Sequence, residues 1–185
     1  MELVVYDANV LYPSTLRDML IRVGIAGLAQ PKWTAKILDE VFVNLQRNRP
    51  DLSLERLTRT RILMNASLRD VEVTGHERWV DQFALPDPGD RHVLAAAIES
   101  GAPVIVTKNL SDFPDVALQV WGVRAIGPDE FLVGLQAGHP RTLARIVCDI
   151  ARAWRAPHAT PAAVLEALAR DAPTVAARLA QSISK

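Results

Sequence analysis

Cysteine is almost missing from this 185-residue chain. The single Cys148 excludes an internal disulfide and fits a reducing compartment. It stands in an expected helix rich in apolar residues, which points to a buried, inert thiol rather than a nucleophile. Long apolar runs are missing too; each is short and interrupted, so no transmembrane helix is expected. No basic stretch followed by a hydrophobic segment precedes the first strand, so no signal peptide is expected and the chain reads as cytoplasmic. Net charge is absent: 21 Lys and Arg balance 21 Asp and Glu, so any nucleic-acid site must be local. There is no P-loop, no GxGxxG and no GxSxG, which removes a phosphate-cradling nucleotide site and a serine-hydrolase elbow. His and Cys never occur at zinc spacing, which disfavours zinc. No internal repeat or low-complexity tract is present. What is there is ordinary for a globular protein, 49% apolar and 23% charged, and long enough for one core with a small appendage.

The stretch that organises the rest is Leu3-Val4-Val5-Tyr6-Asp7-Ala8-Asn9. An apolar run entering an acid reads as a short buried strand with Asp7 at its carboxyl end. In an open α/β sheet ligands collect there, and a carboxylate there needs a cation, a donor or a raised pKa. Helices are expected from Ser14 to about Gly24 or Gly27, from a Thr34 cap along the stripe Ile37, Leu38, Val41, Phe42, Leu45, and from a Ser53 cap to about Leu68 with Leu54 and Leu57 inward. Glu40 flanks the second stripe, whereas Asp39 points to solvent. Val71-Glu72-Val73 reads as a short strand, and Trp79, Val80 and Phe83 as a helical turn on the core.

Asp87-Pro88 is a helix start, acid at N-cap and proline at N1, with Asp90 at N3. The apolar run Val93 to Ile98 requires that helix to be largely buried, which puts its start near the sheet's end. His92 is expected at the surface or as a cap. Gly101 ends the helix, and Pro103 to Thr107 is a second buried strand, so a parallel βαβ unit is expected. A polar loop follows, with Lys108, Asn109 and Asp112, and then a third strand, Val123 to Ile126. Gly127-Pro128 breaks the chain, which divides it into 1–127 and 128–185. Beyond the break only helices are expected, over 130–136, 142–154, 162–169 and 174–182, separated at Gly138-His139-Pro140, Pro157-His158 and Ala172-Pro173. Ile146, Val147, Ile150 and Trp154 form a stripe. This region reads as a docked appendage or a partner-binding element.

Asp7, Glu40, Asp90 and Asp112 are the acids placed to converge, with Asn9, Thr107 and Asn109 as polar neighbours. Carboxylates without histidine suit Mg²⁺ or Mn²⁺, and their mutual repulsion calls for such a cation. Phosphodiester hydrolysis is the chemistry such a site serves. Arginine outnumbers lysine seventeen to four, and Arg47, Arg49, Arg56, Arg59 and Arg61 fall in one segment. A charge run is usually a solvated face, but Arg also suits a phosphate-tracking surface for RNA.

These residues together resemble the PIN domain, the nuclease fold of the virulence-associated-protein-C (VapC) toxins. The resemblance covers 1–127 and rests on Asp7-Ala8-Asn9, on Glu40 in Leu38-Asp39-Glu40-Val41, on Asp90 to Ala97, and on Thr107 to Phe113. It implies a parallel β-sheet flanked by helices, an α/β fold, and an endoribonuclease that uses Mg²⁺ or Mn²⁺. By that resemblance Asp7, Glu40, Asp90 and Asp112 are the catalytic acids, with Asp7, Asp90 and Asp112 on the metal, and Asn9, Thr107 and Asn109 support them. The helical region from 128 resembles that of a VapC subgroup with a longer C-terminus. The resemblance also implies a type II toxin, a cognate antitoxin, an RNA substrate and a homodimer as a further association. Many relatives carry an acid where this chain has Asn109, which leaves a catalytically weak or inactive module that binds RNA or a protein as the alternative. A haloacid-type phosphatase would want an aspartate at Asn9, and a receiver would want an acidic pair where Val4 and Val5 stand, so neither fits.

Overall fold

The structure, a computed structural model, describes residues 1–154 and 160–183. Its centre is a parallel sheet of β1 (Glu2–Tyr6), β2 (Ala29–Lys32), β3 (Val104–Val106) and β4 (Arg124–Ile126), in the order β2-β1-β3-β4. The apolar runs of β1 and β3 explain their inner places: Val4, Val5, Tyr6 and all of β3 are buried, as a parallel strand covered on both faces requires. Val4 pairs with Pro31 on one side and with Val104 on the other. From β1 the chain steps to β2 on one flank and then crosses to β3 on the other. Such a reversal opens a crevice beyond the carboxyl ends of β1 and β3.

β2 is the element that the sequence pattern does not announce. Ala29-Gln30-Pro31-Lys32 alternates, with Ala29 and Pro31 buried, but carries a proline and no β-branched or aromatic residue. Proline cannot donate to a ladder, and the chain accommodates it by placing β2 at the sheet edge. Val71-Glu72-Val73, expected as a strand, makes only a single bridge of Glu72 to Trp33, with Val71 and Val73 buried on either side.

The helices follow the expected caps. α1 (Ala8–Leu11) is one turn capped by Asp7, and α2 (Ser14–Ile25) follows. α3 (Ala35–Asn48) starts on Thr34, whose hydroxyl accepts from Ile37 N–H, and buries all five residues of its stripe. α4 (Leu54–Ala66) starts on Ser53, but its buried residues are Leu57 and Met64, while Leu54 is exposed. Leu54 lies in the first turn, on the rim of an open groove that it shares with Phe42 and Val43 of α3. Residues 76–82 form a 3₁₀ turn that packs on α5 (Arg91–Ser100). α5 ends at Gly101 with φ 69°, a conformation that glycine adopts without strain. α6 (Asp115–Leu118) leads into β4.

Beyond residue 127 come α7 (Pro128–Gly138), α8 (Pro140–Ala153), α9 (Pro161–Leu168) and α10 (Pro173–Ile183). The expected breaker Pro157-His158 lies outside the described residues. α8 and α9 pack on α2, and their buried Leu143, Val147, Ile150 and Val164 belong to the same apolar cluster as Val4 and Val5. The region is therefore docked on the sheet's own core. Trp154 is half-buried at the end of its stripe, and Cys148 is half-buried rather than enclosed, because it faces away from Val147 and Ile150. Tyr6 meets Phe131 edge-to-face at 5.9 Å, which couples β1 to α7.

The Tyr6 hydroxyl is buried and has no hydrogen-bond partner among the described residues. Burial pushes its pKa far up, so it stays a neutral phenol. Removing an unpaired buried hydroxyl relieves a desolvation penalty, so Tyr6→Phe is expected to stabilise the fold by about 1 kcal/mol in urea unfolding. Phe131→Ala is expected to lower stability by about 3 kcal/mol through the cavity it leaves. A destabilised Tyr6→Phe would mean that the hydroxyl has a partner after all.

Candidate active site

Asp7 leaves the end of β1 and turns its carboxylate back onto its own loop. Oδ1 accepts from the Ala8 backbone N–H at 2.6 Å. Oδ2 accepts from Asn9 Nδ2 at 2.6 Å and from the Thr107 hydroxyl at 2.7 Å. Thr107 Oγ1 in turn accepts from Asn9 Nδ2 at 2.9 Å and from the Asn109 backbone N–H at 3.0 Å. Asn9 Oδ1 accepts from the Lys108 backbone N–H at 2.9 Å. Both protons of the Asn9 amide and its oxygen are thus committed, and the loops after β1 and β3 are tied through side chains.

Only 4% of Asp7 is exposed. Burial pushes its carboxyl pKa up, while the bonds from Thr107 and Ala8 draw it back; Glu40 raises it and His92 lowers it through charge. A carboxylate so enclosed is fixed in direction, with lone pairs left for an electropositive partner.

Asp90 behaves differently. Asp87 takes the capping role: its Oδ1 accepts from Gly89 N–H at 2.7 Å and starts the 3₁₀ turn Pro88–Asp90. Asp90 therefore makes no side-chain cap bond and keeps its oxygens free. Its pKa is pushed up to about 6, first by its own burial and then by the charges of Asp7, Asp87 and Asp112, with His92 acting the other way. Asp112, half-buried in the 3₁₀ turn Leu110–Asp112, thus acts on the same field as the acids from β1 and α5.

Glu40 enters from α3, half-buried, with Oε1 2.9 Å from His92 Nε2. His92 is the residue that pattern reading misplaced. It is 1% exposed rather than on the surface, and neither ring nitrogen has a hydrogen bond of good geometry among the described residues. The reason is local: Val93 to Ala97 are all buried, so this turn of α5 has no solvent face to offer.

Asp7, Asn9, Glu40, Asp90, Lys108 and Asn109 line one cleft of about 500 Å³. Tyr12, Asn44 and Asn48 share it, the last two falling with Glu40 at four-residue steps on α3. The arginine segment divides. Arg49 and Arg56 line a second groove that meets the cleft at Tyr12. Arg49 also grips Asp51 with two bonds of 2.8 and 2.6 Å. Arg61 pairs with Asp39 and caps the Ala35 carbonyl, while Arg47 and Arg59 are simply exposed.

Among the described residues no three His, Cys, Asp or Glu side chains stand close enough together to hold a metal ion between them. The acids share a field rather than a contact. Oxygen-only donors of this kind fit a hard divalent ion, and Mg²⁺ suits an open set because it keeps waters and takes few carboxylates directly. Asp7 and Asp90 both line the cleft, and Asp112 adds charge.

The raised Asp90 value has a signed consequence. Between the ordinary 3.8 and about 6 the folded chain holds that proton more tightly than the unfolded one. Stability of metal-free protein therefore falls as pH rises through this window. In EDTA, Asp90→Asn is expected to be more stable than the parent at pH 7, on the order of 1 kcal/mol after solvent screening, and equal to it near pH 3.5. The check is urea unfolding across that range; a parallel pH profile in the two proteins would sink the assignment.

Comparison with known proteins gives two adjacent matches. A PIN-domain profile matches residues 3–111, and a profile of the VapC50 C-terminal domain matches residues 128–181. The Mycobacterium tuberculosis protein named "Putative ribonuclease VapC50" is 39% identical over 89 residues, which is 48% of this chain and 53% of that protein. The chain thus spans about half the length of this curated relative. No solved structure matches. The first profile covers well over half of the sequence, including both strands that carry the crevice, and on that ground the chain belongs to the PIN-domain family.

Proposed function

We propose that the protein is a metal-dependent endoribonuclease of the VapC type, the toxin of a type II toxin–antitoxin system, working in the cytoplasm. The observation that carries this reading is the unrelieved field of carboxylates at the cleft, expressed in the raised pKa of Asp90. Such a field is destabilising by itself and becomes useful when a divalent cation enters it. The name of the relative, a ribonuclease, supports RNA as the substrate. No helix among the described residues is long and apolar enough to cross a membrane.

In this reading Asp7, Asp90 and Asp112 hold Mg²⁺ or Mn²⁺, and residues 1–127 form the nuclease domain with 128–185 as its helical extension. When bound, such an ion acidifies an attacking water and offsets charge on the departing oxygen. Thr107 and Asn9 keep the Asp7 carboxylate from rotating where it lines the cleft. Glu40, beside His92 and half in water, is the carboxylate placed to accept a proton from the attacking water. Arg49 and Arg56 extend the cleft with cationic groups that suit the flanking phosphates of an RNA strand. An antitoxin and a second copy of the chain are its expected protein partners. Asn109 favours the second reading, a weak or inactive module, because it brings an amide to the cleft where an acid would add charge.

The test is cleavage of a mixed RNA pool with Mg²⁺, Mn²⁺ or EDTA. Cutting is expected with either metal and not with EDTA, and Asp7→Asn should lower it by more than about a hundredfold. RNA binding without cutting in any condition would favour the module reading. Reversing Arg49 and Arg56 to Glu is expected to weaken RNA binding and flatten its salt dependence, with a slope lower by about two. Binding unchanged by that reversal would return both to a solvated face.

A further inference from the structure

The C-terminal helical region touches a side chain that lines the acid cleft. Lys108, in the loop after β3, lines the cleft, and its Nζ meets Asp171 Oδ1 at 2.5 Å. Asp171 sits in the link between α9 and α10, where its backbone N–H donates to the Leu168 carbonyl at 3.0 Å. Its side chain is only 15% exposed, against 34% for Lys108. An exposed pair would carry little significance, but a carboxylate this far out of water requires a cation beside it.

The position of Lys108 gives that requirement a second meaning. Its backbone N–H is bound to Asn9 Oδ1, one bond removed from Asp7, so the main chain cannot retreat from the cleft. Its flexible four-carbon stem can still swing, and carboxylates stand on two sides of it: Asp171, and the cluster of Asp7 and Asp90. An ammonium lodged among those acids would satisfy their oxygens and cancel part of the field that a divalent ion needs. We propose that Asp171 is a positioning residue of the active site: by pairing with the Lys108 ammonium, it keeps that cation off Asp7 and Asp90 and reserves their charge for metal. The proposal rests on the metal-dependent reading above. It makes the helical region part of the site rather than a bystander, through a residue outside the matched nuclease segment 3–111 and inside the matched segment 128–181.

The experiment is calorimetric titration of Mn²⁺ into the full chain, without RNA, for the parent, Asp171→Asn, Lys108→Met, the double variant and Asp7→Asn. Asp171→Asn is expected to bind Mn²⁺ roughly tenfold more weakly, because a freed ammonium then sits near the ion's position. Lys108→Met should bind at least as tightly as the parent, and the double variant should return to parental affinity. Thermal melts accompany each protein. Parental affinity in Asp171→Asn overturns the proposal; so does a loss that persists in the double variant, which would mark a merely structural role. A parent that binds no Mn²⁺ and equals Asp7→Asn overturns the metal reading, and this proposal with it.

Discussion

Burial of the Asp7 carboxylate at the end of the central strand is the constraint on which the site depends. A charge taken out of water at the centre of a sheet must be met by donors, and here those come from Ala8, Asn9 and Thr107. Two of the three lie on its own turn, so they cost little order beyond what the strand end imposes. The third arrives from β3, a hundred residues away in sequence, and it is available only because β1 and β3 are neighbours in register. The sheet order is thus what lets an acid be buried there at all.

Around that fixed acid the other carboxylates are graded. Asp87 is spent on a helix start and exposed; Asp90 is left free and pushed toward neutrality; Glu40 stands half in water against a buried histidine. Three similar side chains acquire three characters from their hydrogen bonds and exposure. His92, buried against Glu40 in the first turn of α5, lies close enough to Asp7 and Asp90 to oppose the rise in both of their pKa values.

Much of this was legible in the sequence where the signal is local. The apolar runs of β1 and β3, the Thr34 and Ser53 caps, the Asp87-Pro88 start and the Gly101 stop all depend on a few adjacent residues, and the structure has them where the pattern puts them. β2 is hidden because its alternation spans only four residues, none of them β-branched or aromatic, and because Pro31 reads as a breaker although an edge strand tolerates it. Leu54 has the spacing of an inward residue, yet spacing cannot say that the groove it shares with α3 stays open to solvent. His92 was legible in retrospect, since a turn followed by five buried residues has no wet face. The Lys108–Asp171 pair spans 63 residues and two helical regions, and no periodicity encodes such a contact.

The docking of α8 and α9 on α2, with Phe131 over Tyr6, also bears on the order in which the molecule takes shape. A chain leaving the ribosome completes the strands of its sheet before the helices that cover them exist. Until those last helices emerge, α2 presents an uncovered apolar flank, and the first strand lacks the ring that closes over it. Completion of the core therefore waits on α8 and α9, and a nascent chain that has emerged only through β4 holds a sheet that is formed but not yet sealed.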